Sequence, residues 1–386
     1  MNLSPPPLAL YLHFPWCVKK CPYCDFNSHT VRGDIPEDDY VSALIRDLDI
    51  ELSGDSAAAS GPLISIFMGG GTPSLFSDRG IGRVLEAVNQ RLAFAPDIEI
   101  TLEANPGTAE AGHFPGYRAA GVNRLSMGFQ SLDDAQLQRL GRIHNSAEAR
   151  RAYDLARNAG FDNINLDMMF ALPEQSVAAA IADLAGLIAL GPEHLSWYQL
   201  TLEANTEFGA RPPPVPDDDS AWEMQEQGQA RLAAAGFAQY EVSAYASNGL
   251  QARHNRNYWE FGDYLGIGAG AHGKRSRRQG SELIVQRRAR HKHPRIYQQH
   301  AGSRAVVQEE TIIGPADLPF EFMMNALRLN DGFTPQLYEG RTGLPWDPAS
   351  APIAEAMRLG LLLVGERIQP SEMGRRYLNR LLQLFL

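Results

Sequence analysis

The sequence predicts an α/β protein built on a parallel β-sheet, and three observations lead to this prediction. Short apolar runs alternate with helical patterns from the start of the chain to about residue 245. The alternation repeats about six times, which is typical of strand–helix–strand units. Polar or glycine-rich segments follow these runs, as expected where a parallel sheet builds a site at its carboxyl edge. The spacing fits a doubly wound sheet and a barrel equally well.

Six apolar runs are the predicted strands, because they are rich in Ile, Leu, Val and aromatic residues and most are followed by turn residues. They are Leu8–Phe14, Leu63–Met68, Ile98–Glu103, Arg124–Phe129, Ile164–Phe170 and Leu195–Thr201. Helices are predicted between them. Ala147–Ala159 has Ser146 as its expected N-cap, and Val177–Leu190 has Ser176.

After about residue 300 the pattern changes to helices with one strand-like run. Leu318–Leu329, Ala351–Leu359 and Ser371–Leu384 are the predicted helices, and Leu361–Ile368 is the strand-like run. Two helices, a strand and a helix in this order resemble a small winged-helix-like module.

Composition and charge exclude several classes of function. The chain of 386 residues is 44% hydrophobic and 21% charged, and no apolar run is long enough to span a bilayer. A net charge of −10 argues against a surface built for nucleic acid. The N-terminus has no positively charged segment of the kind that begins a secretory signal. Together with the thiols described next, this predicts a reducing, cytoplasmic setting.

Cys17, Cys21 and Cys24 are the only cysteines of the chain and lie within eight residues. Thiolates favour iron–sulfur clusters or zinc. Three thiolates can hold three irons of a [4Fe–4S] cube and leave the fourth iron open to a small molecule. A structural zinc ion would need a fourth ligand from a histidine or a carboxylate. The odd number of cysteines argues against disulfides.

Polar residues recur at the carboxyl ends of the predicted strands. Gly69–Ser74 follows the second strand, Glu103 ends the third, Gln130 follows the fourth and Asp167 lies within the fifth. Glycines let a ligand approach the backbone closely, but a tight strand-to-helix turn explains them equally well. The acids can equally cap the helices that follow, and Arg142 can pair with a surface acid.

A second cluster, His254–Trp259, brings a histidine, two amides and two aromatic rings into six residues. Histidine is a common ligand of haem and metals, and aromatic rings can stack on a flat macrocycle. An aromatic-rich turn that closes the core is the plainer interpretation. Nine basic residues lie between Lys274 and Arg295, which form either an anion-binding patch or a solvated loop or strand pair.

The segment Tyr11-Leu-His-Phe-Pro-Trp-Cys-Val-Lys-Lys-Cys-Pro-Tyr-Cys24 resembles the cluster loop of the radical S-adenosylmethionine (SAM) superfamily. Within that superfamily, Cys24-Asp-Phe-Asn-Ser28 and His254-Asn-Arg-Asn-Tyr-Trp259 are similar to the oxygen-independent coproporphyrinogen III oxidase family and to its haem-chaperone branch. The resemblance covers nearly the whole chain. It implies a partial (β/α)6 TIM-like barrel of parallel strands with a smaller C-terminal helical, winged-helix-like domain.

The same resemblance implies three regions. Residues 1–245 would form the partial barrel, and residues 246–300 would form a connecting segment with the histidine motif and the basic stretch. Residues 301–386 would form the C-terminal domain typical of the oxidase family.

The resemblance also implies cofactor contacts. The three cysteines would ligate a [4Fe–4S] cluster, and the open iron would bind the amine and carboxylate of SAM. The residues expected at SAM are Tyr11, Gly70, Gly71, Thr72 and Glu103. Further cofactor contacts are expected at Tyr23, Gln130, Arg142 and Asp167, since the oxidase relatives carry a second SAM. One or two SAM molecules are compatible with this set.

His254 is the expected haem contact, with Tyr258 and Trp259 beside it, and the basic stretch 274–295 would attract the haem propionates. Four further histidines are alternative axial ligands: His13, His29, His144 and His272.

Phe26 marks a departure from the oxidases, which carry a cysteine at that position. The branch with phenylalanine there binds haem and passes it to acceptor proteins. We therefore expect a haem chaperone that carries a cluster and SAM, with an electron donor and haem-acceptor proteins as partners, including a membrane-associated acceptor. The alternatives are an oxygen-independent coproporphyrinogen III oxidase or another radical SAM oxidoreductase. A nucleic-acid-modifying enzyme is opposed by the acidic charge.

Overall fold

The computed structural model describes residues 5–53, 61–279 and 282–386, and the side chains of residues 108, 109, 278, 279 and 282 are outside that description. The strands are β1 (Leu8–Phe14), β2 (Trp16–Cys17), β3 (His29–Thr30), β4 (Leu63–Gly70), β5 (Phe94–Ala104), β6 (Arg124–Gln130), β7 (Ile164–Phe170), β8 (His194–Gln199), β9 (Ala238–Gln239), β10 (Ala244–Ala246), β11 (Asp263–Ile267), β12 (His272–Gln279), β13 (Glu282–Arg290), β14 (Val307–Ile313), β15 (Leu362–Val364) and β16 (Ile368–Pro370). The helices are α1 (Glu37–Leu52), α2 (Asp78–Asn89), α3 (Thr108–Ala111), α4 (Phe114–Ala119), α5 (Asp134–Arg139), α6 (Ser146–Asn158), α7 (Val177–Ile188), α8 (Glu207–Ala210), α9 (Asp218–Ala234), α10 (Arg253–Trp259), α11 (Pro294–His300), α12 (Leu318–Ala326), α13 (Pro335–Thr342), α14 (Ala351–Arg358), α15 (Glu372–Arg376) and α16 (Leu378–Leu382). Short 3₁₀ turns lie at Pro73–Leu75, Arg304–Val306 and Gln383–Phe385.

The centre of the fold is a parallel sheet in which β1, β4, β5, β6, β7 and β8 are neighbours in chain order. The order never reverses, so right-handed crossovers place the connecting helices on one face. That arrangement is a partial barrel, because a doubly wound sheet needs a reversal of strand order. The predicted six-stranded, TIM-like architecture is therefore confirmed.

The main sheet continues beyond the six predicted strands. β11 pairs in parallel with the free side of β1, and β12, β13 and β14 extend it as antiparallel strands. Residues 246–300, which were expected only to connect two domains, thus supply three strands of this sheet. Leu265 and Ile267 of β11 pack in its hydrophobic core. In the part of the chain that the structure describes, β14 and β9 are the two outer strands, so the barrel stays open.

Local capping explains where two predicted helices begin. The Ser176 hydroxyl accepts from the Ala179 N–H at 3.2 Å, which confirms the predicted cap of α7. The prediction for α6 was wrong by one residue. Asn145 is the N-cap, and its side chain and Glu148 form a reciprocal capping box, so Ser146 is already helical.

The C-terminal region has its own hydrophobic core, which includes Phe322, Phe333, Ile353 and Ile368. The strand-like run is a small hairpin of β15 and β16, as the wing of a winged-helix-like module would be. Two predictions there were wrong. The last helix is divided at Tyr377, whose φ of −114° and ψ of 43° are not helical, and α13 was not predicted. No helix of the described ranges combines the length and apolarity needed to cross a membrane.

A buried ion-pair network fastens the extended part of the sheet to α1. Arg290, only 1% exposed, donates to Asp47 at 3.0 Å and to Glu51 at 2.7 Å. The Tyr297 hydroxyl and the Gly268 N–H also donate to Asp47. Because burial raises the pKa of Asp47, its carboxylate depends on these donors.

We expect Arg290→Leu to lower the free energy of unfolding by about 3–5 kcal/mol, because it leaves the buried Asp47 carboxylate without its cation and leaves Glu51 with Arg288 alone. The loss should shrink at acidic pH, because burial raises the pKa of Asp47 and its carboxylate becomes protonated there. Urea denaturation followed by circular dichroism at pH 5 and pH 7 measures both effects. The exposed Arg304→Leu is the control, with an expected change within about 0.5 kcal/mol. Equal losses in the two variants would contradict a special role for Arg290.

Candidate functional site

The three cysteines lie on a loop at the carboxyl end of β1. Cys17 ends β2, which pairs with β3, and the Cys24 N–H donates to the Cys21 carbonyl in a tight turn. All three thiols are free and partly buried. The loop returns to β3 within a few residues, so the local sequence alone brings the sulfur atoms to one edge of the barrel.

A hydrogen-bonded chain ties this loop to three strands of the sheet. Thr72 Oγ1 donates to Cys17 Sγ at 3.4 Å, and Asn105 Nδ2 donates to Thr72 Oγ1 at 3.0 Å. Arg142 donates to Asn105 Oδ1 at 2.7 Å and to Cys21 Sγ at 3.6 Å. Two predicted site residues, Thr72 and Arg142, therefore touch cysteine sulfur atoms. Asn105 connects them and was not among the predicted site residues.

The donor set fits an iron–sulfur cluster. Burial raises the pKa of Cys17 and Cys24, and hydrogen bonds from Thr72 and Ser28 oppose that shift. Metal binding removes the proton from such thiols. Within the described residues, no three His, Cys, Asp or Glu side chains come together closely enough to hold a single ion. Each iron of a [4Fe–4S] cluster takes at most one thiolate, so the three thiols need not meet at a single point.

The glycine turn after β4 lies directly against the cluster loop. Gly70 has φ +109°, and a side chain there would collide with the ring of His13. A Cβ at Gly71 would approach the Trp16 carbonyl to 2.6 Å and the Phe14 carbonyl to 2.8 Å. Packing of the turn on β1 and β2 is thus sufficient to require these glycines. It also places Gly70 on the wall of a cavity.

Glu103 is the carboxylate best placed for a cationic ligand. Its Oε2 accepts the Gly70 N–H at 3.1 Å. Burial, and then the neighbouring Asp167, raise its pKa to about 8. No Lys, Arg or His side chain of the described residues pairs with it. An amine or sulfonium group of SAM would supply the missing positive charge, so Glu103 fits that cofactor.

The other predicted SAM contacts lie around the inside of the barrel. The Tyr11 hydroxyl bonds to His13 Nδ1 at 2.8 Å, and the Tyr11 ring stacks on Phe67. Asp167 accepts from Asn165 Nδ2 at 2.8 Å. Gln130, with φ +67°, accepts from the Tyr198 hydroxyl at 2.7 Å. Tyr23 packs against Phe208 at the outer edge of this group.

A cavity of about 830 Å³ joins the cofactor end of the barrel to the histidine motif. Its size lies within the usual range of about 300–1,000 Å³ for ligand sites. Tyr11, Gly70 and Glu103 line it together with His254 and Tyr258, residues far apart in sequence. Gln130, Arg142, Asp167 and Trp259 do not line it.

His254 is held on the cavity wall by Glu99 of β5. Its Nδ1 lies 2.9 Å from Glu99 Oε1, and its ring stacks on Phe67 with centroids 4.2 Å apart. Glu99 also accepts the N–H groups of Arg253 and His254 at the start of α10. His254 and the nearby Arg124 lower the pKa of Glu99 to about 2 despite its burial, so it is ionised.

The neutral form of His254 is favoured, because burial lowers its pKa. With Nδ1–H donated to Glu99, Nε2 carries the free lone pair. A carboxylate behind a metal-ligating histidine is the arrangement that commonly orients such a ligand. Sequence reasoning missed Glu99, which lies 155 residues from His254 and inside an alternating strand.

The two aromatic residues of the motif have different surroundings. Tyr258 is 37% exposed, lines the cavity and packs against Tyr264 with ring centroids 5.2 Å apart. Trp259 lies beneath Arg328 of the C-terminal region, with the guanidinium 4.5 Å from the ring centroid. Tyr258 is therefore the one placed to meet a ligand in the cavity.

The alternative histidines divide into two groups. His13, His29 and His272 line the same cavity as His254. His13 is already bonded to Tyr11 and to the Asn27 carbonyl, and burial lowers its pKa to about 4. His144 lies on a separate cavity beside Val18.

Two family models match the chain. Residues 11–185 match the radical SAM superfamily, and residues 313–377 match the HemN C-terminal domain. The first segment runs from β1 to α7 of the partial barrel, and the second contains most of the C-terminal hydrophobic core.

Full-length relatives carry one recurrent name. "Heme chaperone HemW" of Escherichia coli is 49% identical over 383 residues, 99% of this chain and 98% of that protein. The protein of the same name from Haemophilus influenzae is 48% identical over the same shares of both chains. A mouse protein, "Radical S-adenosyl methionine domain-containing protein 1, mitochondrial", is 39% identical over 93% of this chain and 82% of its own.

Among solved structures, coproporphyrinogen III oxidase (HemN) from Escherichia coli has a TM-score of 0.81. The match covers 99% of this chain and 90% of that one at 22% identity. At that identity the likeness concerns the fold, which it confirms over both the barrel and the C-terminal region.

We expect Glu103→Gln to change how stability depends on pH in protein without cluster or SAM. The pKa of Glu103 rises from its ordinary 4.5 to about 8 on folding, so wild-type stability falls as pH rises between these values. The free energy of unfolding of the variant should not fall over this pH range. Above pH 8 the variant should therefore be more stable than the wild type by roughly 2–4 kcal/mol. Urea denaturation from pH 5 to pH 9 checks this, with the exposed Glu203→Gln as control. Parallel curves for wild type and Glu103→Gln would contradict it.

Proposed function

We propose a function for this chain from its family, because the chain belongs to the HemW family of heme chaperones within the radical SAM superfamily. It binds haem and transfers it to acceptor proteins, and it carries a [4Fe–4S] cluster and SAM. The observation that carries this conclusion is His254, held by Glu99 on the wall of a cavity that reaches the cluster loop. The ring presents Nε2 as a ligand for haem iron, and Tyr258 lies beside it.

In this proposal the cluster is ligated by Cys17, Cys21 and Cys24. When bound, the cluster and SAM together supply one-electron chemistry, while the protein binds and orients them. SAM would lie against Tyr11, Gly70, Gly71, Thr72 and Glu103. Glu103 supports this placement because it is a carboxylate without a cationic partner among the described residues.

A second SAM is proposed at the other end of the inner wall. Its contacts would be Tyr23, Gln130, Arg142 and Asp167, and Arg142 would join that site to the cluster loop through Cys21. Burial raises the pKa of Asp167, which again leaves room for a cationic partner.

The partners follow from this chemistry. Haem-acceptor proteins receive the cargo, and a protein electron donor reduces the cluster. A reducing, cytoplasmic setting suits three free thiols that must all be available as ligands.

Anaerobic haem titration of the cluster-reconstituted protein tests the function. We expect a saturable Soret shift in the wild type and at least about tenfold weaker binding in His254→Ala, because the axial ligand is lost. His113→Ala is the control, since its half-exposed side chain does not line the cavity. Equal haem binding by His254→Ala and His113→Ala would indicate that His29 or His272 is the iron ligand instead. Absence of saturable binding would contradict the chaperone and favour a radical enzyme.

We expect Glu99→Gln to raise the reduction potential of bound haem. The carboxylate increases electron donation from His254 to iron, and a neutral amide does so less. Redox titration and the iron–histidine stretching frequency measure this, and the frequency should fall. Asp97→Asn is the matched control, because Asp97 lies on the same strand, pairs with Arg253 and is largely exposed. An unchanged potential in Glu99→Gln would contradict a role for Glu99 in positioning His254.

A further inference from the structure

Two lysines line the large cavity at its rim, from two different parts of the chain. Lys20 lies on the cluster loop, and Lys292 follows β13. Both are exposed, and neither forms an ion pair with a described carboxylate. Asp25, also on the rim, is the acidic neighbour on the same loop. The cavity thus carries two ammonium groups whose charge is not neutralised by a contact within the described protein.

Four other cations of the β12–β13 hairpin pair with acids. Lys274 pairs with Asp263 at 3.0 Å, and Arg288 pairs with Glu310 at 2.8 Å. Arg290 is held by the buried Asp47 and Glu51, and Arg287 pairs with Glu321 of α12. Among the described Lys and Arg side chains of the basic stretch 274–295, Lys292 is the one that lines the cavity, and it has no carboxylate partner.

Asn27 brings the two lysines to one wall. Its side-chain amide donates to the Lys292 carbonyl and to the Ala269 carbonyl, each at 2.9 Å. Lys20 Nζ donates to the Phe26 carbonyl at 3.0 Å and reaches the Ser28 carbonyl at 3.5 Å. Because an ammonium has three donors, at least one of those on Lys20 is left for a ligand.

Exposed aromatic rings line the same space. Phe26 is 61% exposed on the cluster loop, and Tyr258 is 37% exposed on α10. Large exposed rings inside a cavity are surfaces for an apolar ligand rather than parts of the core. The cavity thus offers aromatic surface together with a cationic rim, as an amphipathic ligand with carboxylates would require.

We propose that Lys20 and Lys292 bind the two propionate carboxylates of haem, so that the macrocycle lies against Phe26 and its iron faces His254. This inference rests on the proposed haem-binding function and gives the cargo one orientation. In this orientation the propionate edge of the macrocycle would face the cluster loop, and one face of the ring would meet His254 of α10. The carboxylate of SAM is the other source of the same chemistry, and the experiment separates the two.

The test compares the binding of two ligands by two proteins, and the four affinities form a thermodynamic cycle. Cluster-reconstituted wild type and Lys20→Gln/Lys292→Gln are titrated with haem and with haem dimethyl ester in the same detergent buffer. We expect the double variant to bind haem about tenfold more weakly than the wild type, and the ester equally well. Lys19→Gln/Arg295→Gln is the matched control, since both side chains are exposed and neither lines the cavity.

Each result supports or overturns the assignment. Equal losses for haem and ester, or no loss for either, would overturn it, as would weaker SAM binding by calorimetry with haem binding unchanged. His254→Ala should weaken both ligands in every background, because it acts on iron. If wild type binds neither ligand saturably, the haem function itself fails, and that result is distinct from a loss of propionate recognition alone.

Discussion

The geometry of the site depends most directly on the two hydrogen bonds that the Asn27 side chain donates. They hold the cluster loop to the segments on either side of the β12–β13 hairpin, through the carbonyls of Ala269 and Lys292. The Asn27 carbonyl in turn accepts from His13, whose ring lies against Gly70 of the glycine turn. A Cβ at Gly270 would collide with the Asn27 side chain, so the contact also requires a glycine opposite it. One amide thus sets the distance between the cysteine loop and the far wall of the cavity.

The charged groups inside the barrel fall into two electrostatic classes. Glu99 is compensated by His254, Arg124 and two backbone N–H groups, which keeps it ionised and makes it a rigid support. Glu103 and Asp167 are buried near each other without a comparable cation, and burial raises the pKa of both. Unpaired buried carboxylates are costly, and they persist where a ligand supplies the missing charge. The carboxylate behind the proposed haem ligand is therefore compensated by the protein itself, whereas the carboxylates at the proposed SAM contacts form no ion pair among the described residues.

Much of the architecture was predictable because the relevant signals are local. Apolar runs mark the six parallel strands, and the cysteine spacing marks the cluster loop within eight residues. The Glu99–His254 contact, the Asn27 contacts and the Asn105 chain were not predictable, because they join positions that are far apart in sequence and meet only in the folded barrel. The division of the last helix at Tyr377 was not predictable either, because no proline or glycine stands at that position to mark it.

A buried polar chain joins the two ends of the barrel. Asp167 accepts from Asn165, Asn165 bonds to His194 at 2.6 Å, and His194 bonds to the Tyr240 hydroxyl at 2.9 Å. Tyr240 also accepts from Asn255, the residue after His254. The two bonds of His194 are fully buried, and the bonds at either end of the chain are partly buried. The position of α10 is therefore tied to the residues around Asp167. The proposed haem ligand His254 is thus linked through these hydrogen bonds to the proposed SAM contact Asp167.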